Sequence, residues 1–164
     1  MNAFFCAPAL LTMLAFSGIA HAAEPQDTLS RMASCQESWM DMRNDPVRGQ
    51  RFGEVLKAHF VQNDRGPIWK PRQPMTWLGY PVIEITPQNL GMGVGFAVTV
   101  KAVSDAVKPA YEKLVGQALG NCAKREGLLT CDRQIAKQRT AMLMAPLANP
   151  ELGTLLGCYY LYQQ

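Results

Sequence analysis

Histidine is scarce in this chain. Two occur among 164 residues, and one of them, His21, falls at the end of an apolar N-terminal segment. His59 is left as the single imidazole of residues 23–164. That counts against a nucleophilic enzyme, which needs an oriented base beside an activated Ser, Cys or Thr, and against a mixed Cys/His zinc cluster. A lone histidine on a helix flank reads as a structural or surface residue. No C-x-x-C occurs, so a thioredoxin-like redox site has no basis, and no G-x-S-x-G marks a nucleophile elbow. An excess of charge is also missing. Sixteen basic residues face thirteen acidic ones, a net charge of +3, which falls short of the basic stripe of a nucleic-acid binder. Internal repeats and low-complexity segments are absent, and after residue 22 no second long apolar run follows. No stable membrane insertion is expected of residues 23–164.

The apolar run that is present stretches nearly unbroken from Phe4 to Ile19 and ends in Ala20-His21-Ala22, followed by Ala23-Glu24-Pro25. It falls short of the roughly 20 residues a spanning helix needs, and the small residues at Ala20 and Ala22 suit a signal peptidase. The reading is a signal peptide over residues 1–22, cleaved after Ala22, in place of a membrane anchor. It departs from the usual pattern in having no Lys or Arg before its apolar core. Residues 23–164 then form one exported domain, placed in the periplasm.

Removing residues 1–22 takes Cys6 with it and leaves Cys35, Cys122, Cys131 and Cys158. An even number in an exported chain predicts two disulfides. Three pairings are possible. The one expected is Cys122 with Cys131, closing a short loop, and Cys35 with Cys158, tying the first helix to the last strand.

Along the chain, Asp27 or Thr28 can cap a helix whose stripe is Leu29, Met32, Cys35, Trp39 and Met42, with Asn44-Asp45-Pro46 as its stop. Phe52, Val55, Leu56 and Phe60 predict a second, carrying His59 near its end. Asn63-Asp64-Arg65-Gly66-Pro67 is a turn. Residues 67–81 hold four prolines, which exclude helix and central strand and favour extended backbone. Residues 82–86 read as a strand. Gly91-Met92-Gly93-Val94-Gly95 resembles a phosphate loop only superficially, since it precedes a strand and has Phe96 where a third glycine belongs; no cofactor is expected. Residues 94–100 alternate as a strand with one buried face. A helix opens at Ser104 and Asp105 and stops at Gly120. Residues 121–138 are a disulfide-closed turn running into a polar strand, or a short helix. Residues 140–145 and 154–162 form a hairpin. Met32, Met142 and Met144 are core fillers rather than metal ligands. The resulting fold class is α+β: an antiparallel sheet of about four strands with helices packed on one side, held by two disulfides.

The strongest candidate for a binding surface is the segment 65–80, where Arg65, Trp69, Lys70, Arg72, Trp77 and Tyr80 sit in backbone stiffened by proline. Interfaces favour these side chains because they give much contact area at modest entropic cost. The alternative is that Trp69 and Trp77 fold inward and cap the core. A second surface is offered by Arg133, Lys137 and Arg139 on the exposed face of a strand. Carboxylate-based hydrolysis has Glu54, Glu84 and Glu112 as candidates, with no spacing that selects two of them. In general character, small, exported and disulfide-bonded without a catalytic motif, the chain resembles periplasmic inhibitor and immunity proteins. The resemblance implies a protein partner, a toxin or an envelope hydrolase. The Ser-Gly loop of periplasmic lysozyme inhibitors is missing, since the chain's one Ser-Gly is Ser17-Gly18. The alternatives are a small envelope hydrolase and a structural or accessory periplasmic protein.

Overall fold

The structure is a computed structural model that describes residues 20–64, 66–87 and 94–160. Its first helix, α1 (Ala20–Ala33), runs across the expected processing boundary and buries Leu29, Met32 and Ala33. The long first helix expected from the apolar stripe is in fact two. Cys35 takes a left-handed backbone, φ 65°, and turns the chain out of α1. Ser38 then caps α2 (Trp39–Asn44): its Oγ accepts from the Asp41 backbone N–H, and the Asp41 carboxylate accepts from the Ser38 N–H at 2.7 Å. This reciprocal box satisfies two donors that a helix start leaves open. The signal was in the sequence, as Ser38-Trp39-Met40-Asp41. Asp45 next caps α3 (Pro46–His59), accepting from the N–H groups of Val47 and Arg48, with Pro46 at the first helical position where no donor is required.

Among the described residues the sheet has nine strands rather than about four. Those expected from the sequence are β4 (Tyr80–Thr86), β5 (Val94–Val100), β8 (Arg139–Pro146) and β9 (Thr154–Tyr160). β7 (Leu128–Ala136) is the polar strand also expected within residues 121–138, and the stretch before it is a strand as well, β6 (Asn121–Arg125), its hairpin partner; the remaining ones are β1 (Phe60–Gln62), β2 (Trp69–Pro71) and β3 (Thr76–Trp77). β1 to β3 are two or three residues long, too short for an alternating pattern to register, and only pairing with neighbours holds them extended. The strand order is β1-β2-β4-β5-β9-β8-β7-β6, with β3 on β4, and every pairing is antiparallel. Two meanders thus meet at the β5–β9 pair. The helix α4 (Ser104–Val115) carries the chain from the centre of the sheet to its far edge. It ends at Gly116, in left-handed conformation at φ 78°, four residues before the expected stop. Pro109 is its sixth residue, past the first turn.

Phe96, Val98 and Val100 lie in register with Cys158, Leu156 and Thr154 of β9, and these with Ala141 and Leu143 of β8. This face joins Leu29, Met32, Phe52, Val107 and Tyr111 in one core, so the helices cover one side. β5 is closed on both faces, however, not one. Ala97 and Thr99, which point away from the helices, are buried as well. A strand flanked by β4 and β9 leaves side chains that small little area to expose. Met32 and Met142 are buried and Met144 half-buried.

Two disulfides cross-link this frame, as is usual for proteins matured in an oxidising compartment. Cys35–Cys158 ties the α1–α2 turn to β9, and Cys122–Cys131 joins residues directly opposite on β6 and β7. At the centre of the core, the Tyr111 hydroxyl lies 2.8 Å from the Ala33 carbonyl oxygen and 2.6 Å from that of Gly157. One side chain of α4 thereby pins α1 to β9. Burial pushes its phenol far above the ordinary range.

Candidate partner-binding cleft

The prolines of residues 67–81 leave several backbone positions with no N–H to donate, and the segment runs as short strands joined by bends. It is tied down from three sides. The Arg72 backbone N–H donates to the His59 carbonyl at 2.9 Å, and its Nε donates to the Lys57 carbonyl at 3.1 Å. Gln26 of α1 donates from Nε2 to the Thr76 carbonyl at 3.0 Å. Between these anchors lies a cleft of about 460 Å³. Pro25, Ala58, Pro74, Met75 and Pro81 form its apolar walls, and Gln26, His59, Arg72, Gln73 and Thr76 supply its polar groups. No Asp or Glu lines it. Among the described residues the one formal charge on its walls is the Arg72 guanidinium, so the cleft suits an apolar guest with an acidic end.

The structure separates the residues singled out in the sequence. Arg72 lines the cleft, and Trp69 and Lys70 stand on the adjoining hairpin, with Lys70 exposed and opposite Val61. Trp69 is half-buried, packs on the core and pairs with Gln62 and Ile85. Trp77 belongs to the interior. It is 3% exposed, donates from Nε1 to Ser30 Oγ at 2.9 Å and meets the Tyr111 ring edge-on at 6.4 Å. A side chain so placed offers a partner almost no area. Tyr80 is half-buried, and its hydroxyl donates to the Ala106 carbonyl. Arg65 lies outside the described residues, as do Gly91, Met92 and Gly93.

Arg133, Lys137 and Arg139 do not form the shared exposed face expected of them. Arg133 donates from Nε to the Ala118 carbonyl. Arg139 turns inward to the α1–α2 connection, donating to the carbonyls of Cys35 and Gln36 and to both Asp41 carboxylate oxygens. The three glutamates also part company. Glu84, in register with Thr99, points to the sheet face opposite the helices. Glu54 lies on α3 and binds Gln50 Nε2, and Glu112 lies on α4 and accepts from the Leu119 N–H at 2.8 Å.

His59 and Gln26 enter the cleft unforeseen. His59 is the last residue of α3, aimed by where that helix stops, and Gln26 arrives from α1 through tertiary packing. Neither carries a local signal. Among the described residues no group of three or more His, Cys, Asp or Glu is arranged to hold a metal ion, and no helix is long and apolar enough to cross a membrane. Comparison with protein-family models, with curated proteins and with solved structures finds no match to this chain.

Proposed function

We propose that the chain is an exported periplasmic protein that neutralises a toxin or a cell-envelope hydrolase by binding it, as an immunity or inhibitor protein does. The observation that carries this reading is the carboxylate-free cleft beneath the proline-stiffened segment. A loop already held by Gln26 and by the two bonds of Arg72 loses little entropy on docking. Trp69 offers partly exposed aromatic area at the adjoining hairpin, and Arg72 and Lys70 supply positive charge for acidic groups of the partner. A positive rim also speeds encounter with an acidic surface.

Export has its own support in the helix. Pro25 lies inside α1 as it stands, where it has no N–H to return to the carbonyl of residue 21. With residues 1–22 removed it falls in the first turn, where that donor is not needed.

The test uses the purified chain and the products of neighbouring genes, toxins first, with binding measured by calorimetry. Trp69→Ala and Arg72→Ala should each weaken binding by about 2 kcal/mol, the range of an interface hot spot, with unchanged circular dichroism. Full affinity in both variants would remove the cleft from the interface. Hydrolysis of envelope material that is lost in Glu54→Gln would replace this reading with that of a small carboxylate hydrolase.

A further inference from the structure

Arg72 is a cation that the fold positions and leaves unpaired. Its Nε donates to the Lys57 carbonyl at 3.1 Å and its backbone N–H to that of His59 at 2.9 Å, so chain and guanidinium are both held against the end of α3. None of the ion pairs among the described residues uses it. Both Nη groups stay uncommitted there, on the wall of a cleft lined by no Asp or Glu. We propose that this cleft seats the C-terminal residue of the partner chain, its terminal carboxylate held end-on by Arg72 and its apolar side chain resting on Ala58, Pro74 and Pro81, an assignment that rests on the cleft being the partner's site.

The charge asks for one anion of planar shape. With Nε engaged, the two Nη groups offer the parallel N–H bonds that the two oxygens of a carboxylate accept. Glu54, one turn before Ala58 on α3, is exposed, bound to Gln50 and outside the cleft, so it does not answer the guanidinium. The apolar walls have area to give. Ala58, Pro74 and Pro81 are exposed and Met75 is half-buried, and covering them takes apolar surface out of water. The prolines among them have fixed φ, so the wall loses little freedom on docking.

Shape and polarity select a chain end. The volume of about 460 Å³ matches roughly fifteen waters at ~30 Å³ each, room for a short segment only. Gln26 Nε2 reaches the Thr76 carbonyl at 3.0 Å and joins two of the cleft's walls. A passing loop must enter such a hollow and leave it, whereas a terminus only enters. A C-terminal Leu, Met or Phe also carries its carboxylate and its apolar side chain on one Cα, whereas an internal Asp or Glu needs an apolar neighbour turned the same way. The polar lining separates a peptide from a fatty acid. Gln26 keeps Oε1 as an acceptor, and His59 and Gln73 stand beside it on the walls. Peptide amides pair with such groups, while an alkyl chain would cover them and leave them unsatisfied.

The experiment is an NMR titration of the purified chain with N-acetyl-Gly-Ser-Ala-Leu, the same peptide with a C-terminal amide, the peptide ending in Ser, and octanoate. The free-acid Leu peptide should bind and shift the resonances of Ala58, His59 and Arg72. The amide should bind at least tenfold more weakly, and the Ser peptide and octanoate more weakly as well. Arg72→Gln should lose tenfold or more. Ala58→Glu, at an exposed helix position where folding is not at stake, should do the same by placing a carboxylate in the cleft. Arg48→Gln, an exposed cation elsewhere on α3, should change nothing. Equal affinity for acid and amide would overturn the proposal, as would octanoate binding as tightly as the peptide, or no binding at about 5 mM peptide. A protein partner that loses affinity in Arg72→Ala while no peptide binds would keep the cleft as interface and remove the C-terminal seat. Carboxylate-dependent peptide binding with no toxin or hydrolase bound would keep the seat and remove the inhibitor reading.

Discussion

Replacing Tyr111 by Phe tests the centre of the fold with one atom. The hydroxyl lies between the carbonyls of Ala33 and Gly157, at 2.8 and 2.6 Å, and the residue is fully buried. Phe keeps the ring and its edge contact with Trp77, so no side-chain-sized cavity opens. What is lost is the donor, and a buried acceptor left without one costs about 1–3 kcal/mol. Taking ~2 kcal/mol, the midpoint of thermal unfolding should fall by about 4–8 °C for a domain of this size. The pH dependence makes the test specific. The folded phenol keeps its proton far beyond the pH at which an unfolded tyrosine, pKa about 10, gives its proton up. Above pH 10 the unfolded state therefore binds fewer protons, and stability falls as pH rises. By pH 11 this one group lowers the stability of the wild type by RT ln(1 + 10), about 1.4 kcal/mol. The variant has no such group. Urea denaturation should show the gap between the two proteins shrinking from about 2 kcal/mol at pH 7 to about 0.6 kcal/mol at pH 11. A gap that stays constant with pH, or variants equal at pH 7, would refute the assignment of Tyr111 as a buried, neutral pin.

The two disulfides should differ in weight. Their sequence separations are 123 and 9, and loop-closure entropy assigns them about 5 and about 2.7 kcal/mol. The double variant Cys35→Ser/Cys158→Ser should therefore unfold at clearly lower urea than Cys122→Ser/Cys131→Ser, and the reverse order would contradict it. Arg139→Ala should cost about 2 kcal/mol once its partial exposure is discounted, because it releases two carbonyls and the Asp41 carboxylate together. Arg139→Lys should recover only part of that, since an ammonium cannot fork between them; equilibrium denaturation of the three proteins measures it.

Residue pattern alone established what depends on near neighbours. The cysteine count and the apolar stripes of Leu29 and Met32, of Phe52, Val55 and Leu56, and of Val107 and Tyr111 were enough for an α+β domain with two disulfides. The strands read at 82–86, 94–100, 140–145 and 154–162 announced themselves through β-branched and apolar residues. Where competing local signals met, the outcome was harder to read. The stripe through Cys35 to Met42 keeps helical period, yet the left-handed turn at Cys35 and the capping box at Ser38 divide it. The site was decided later still. Trp69 and Trp77 stand in the same proline-rich segment, with an indole each, but Trp77 reaches Ser30 and Tyr111 in the core while Trp69 keeps part of its surface in water. Gln26, His59 and Arg72 meet at one cleft because α1 lies against the loop and α3 stops where it does. Periodicity and capping act over a few residues and can be read from the chain. Which face of a short, unpatterned strand turns inward depends on partners tens of residues away, and that only the packed sheet decides.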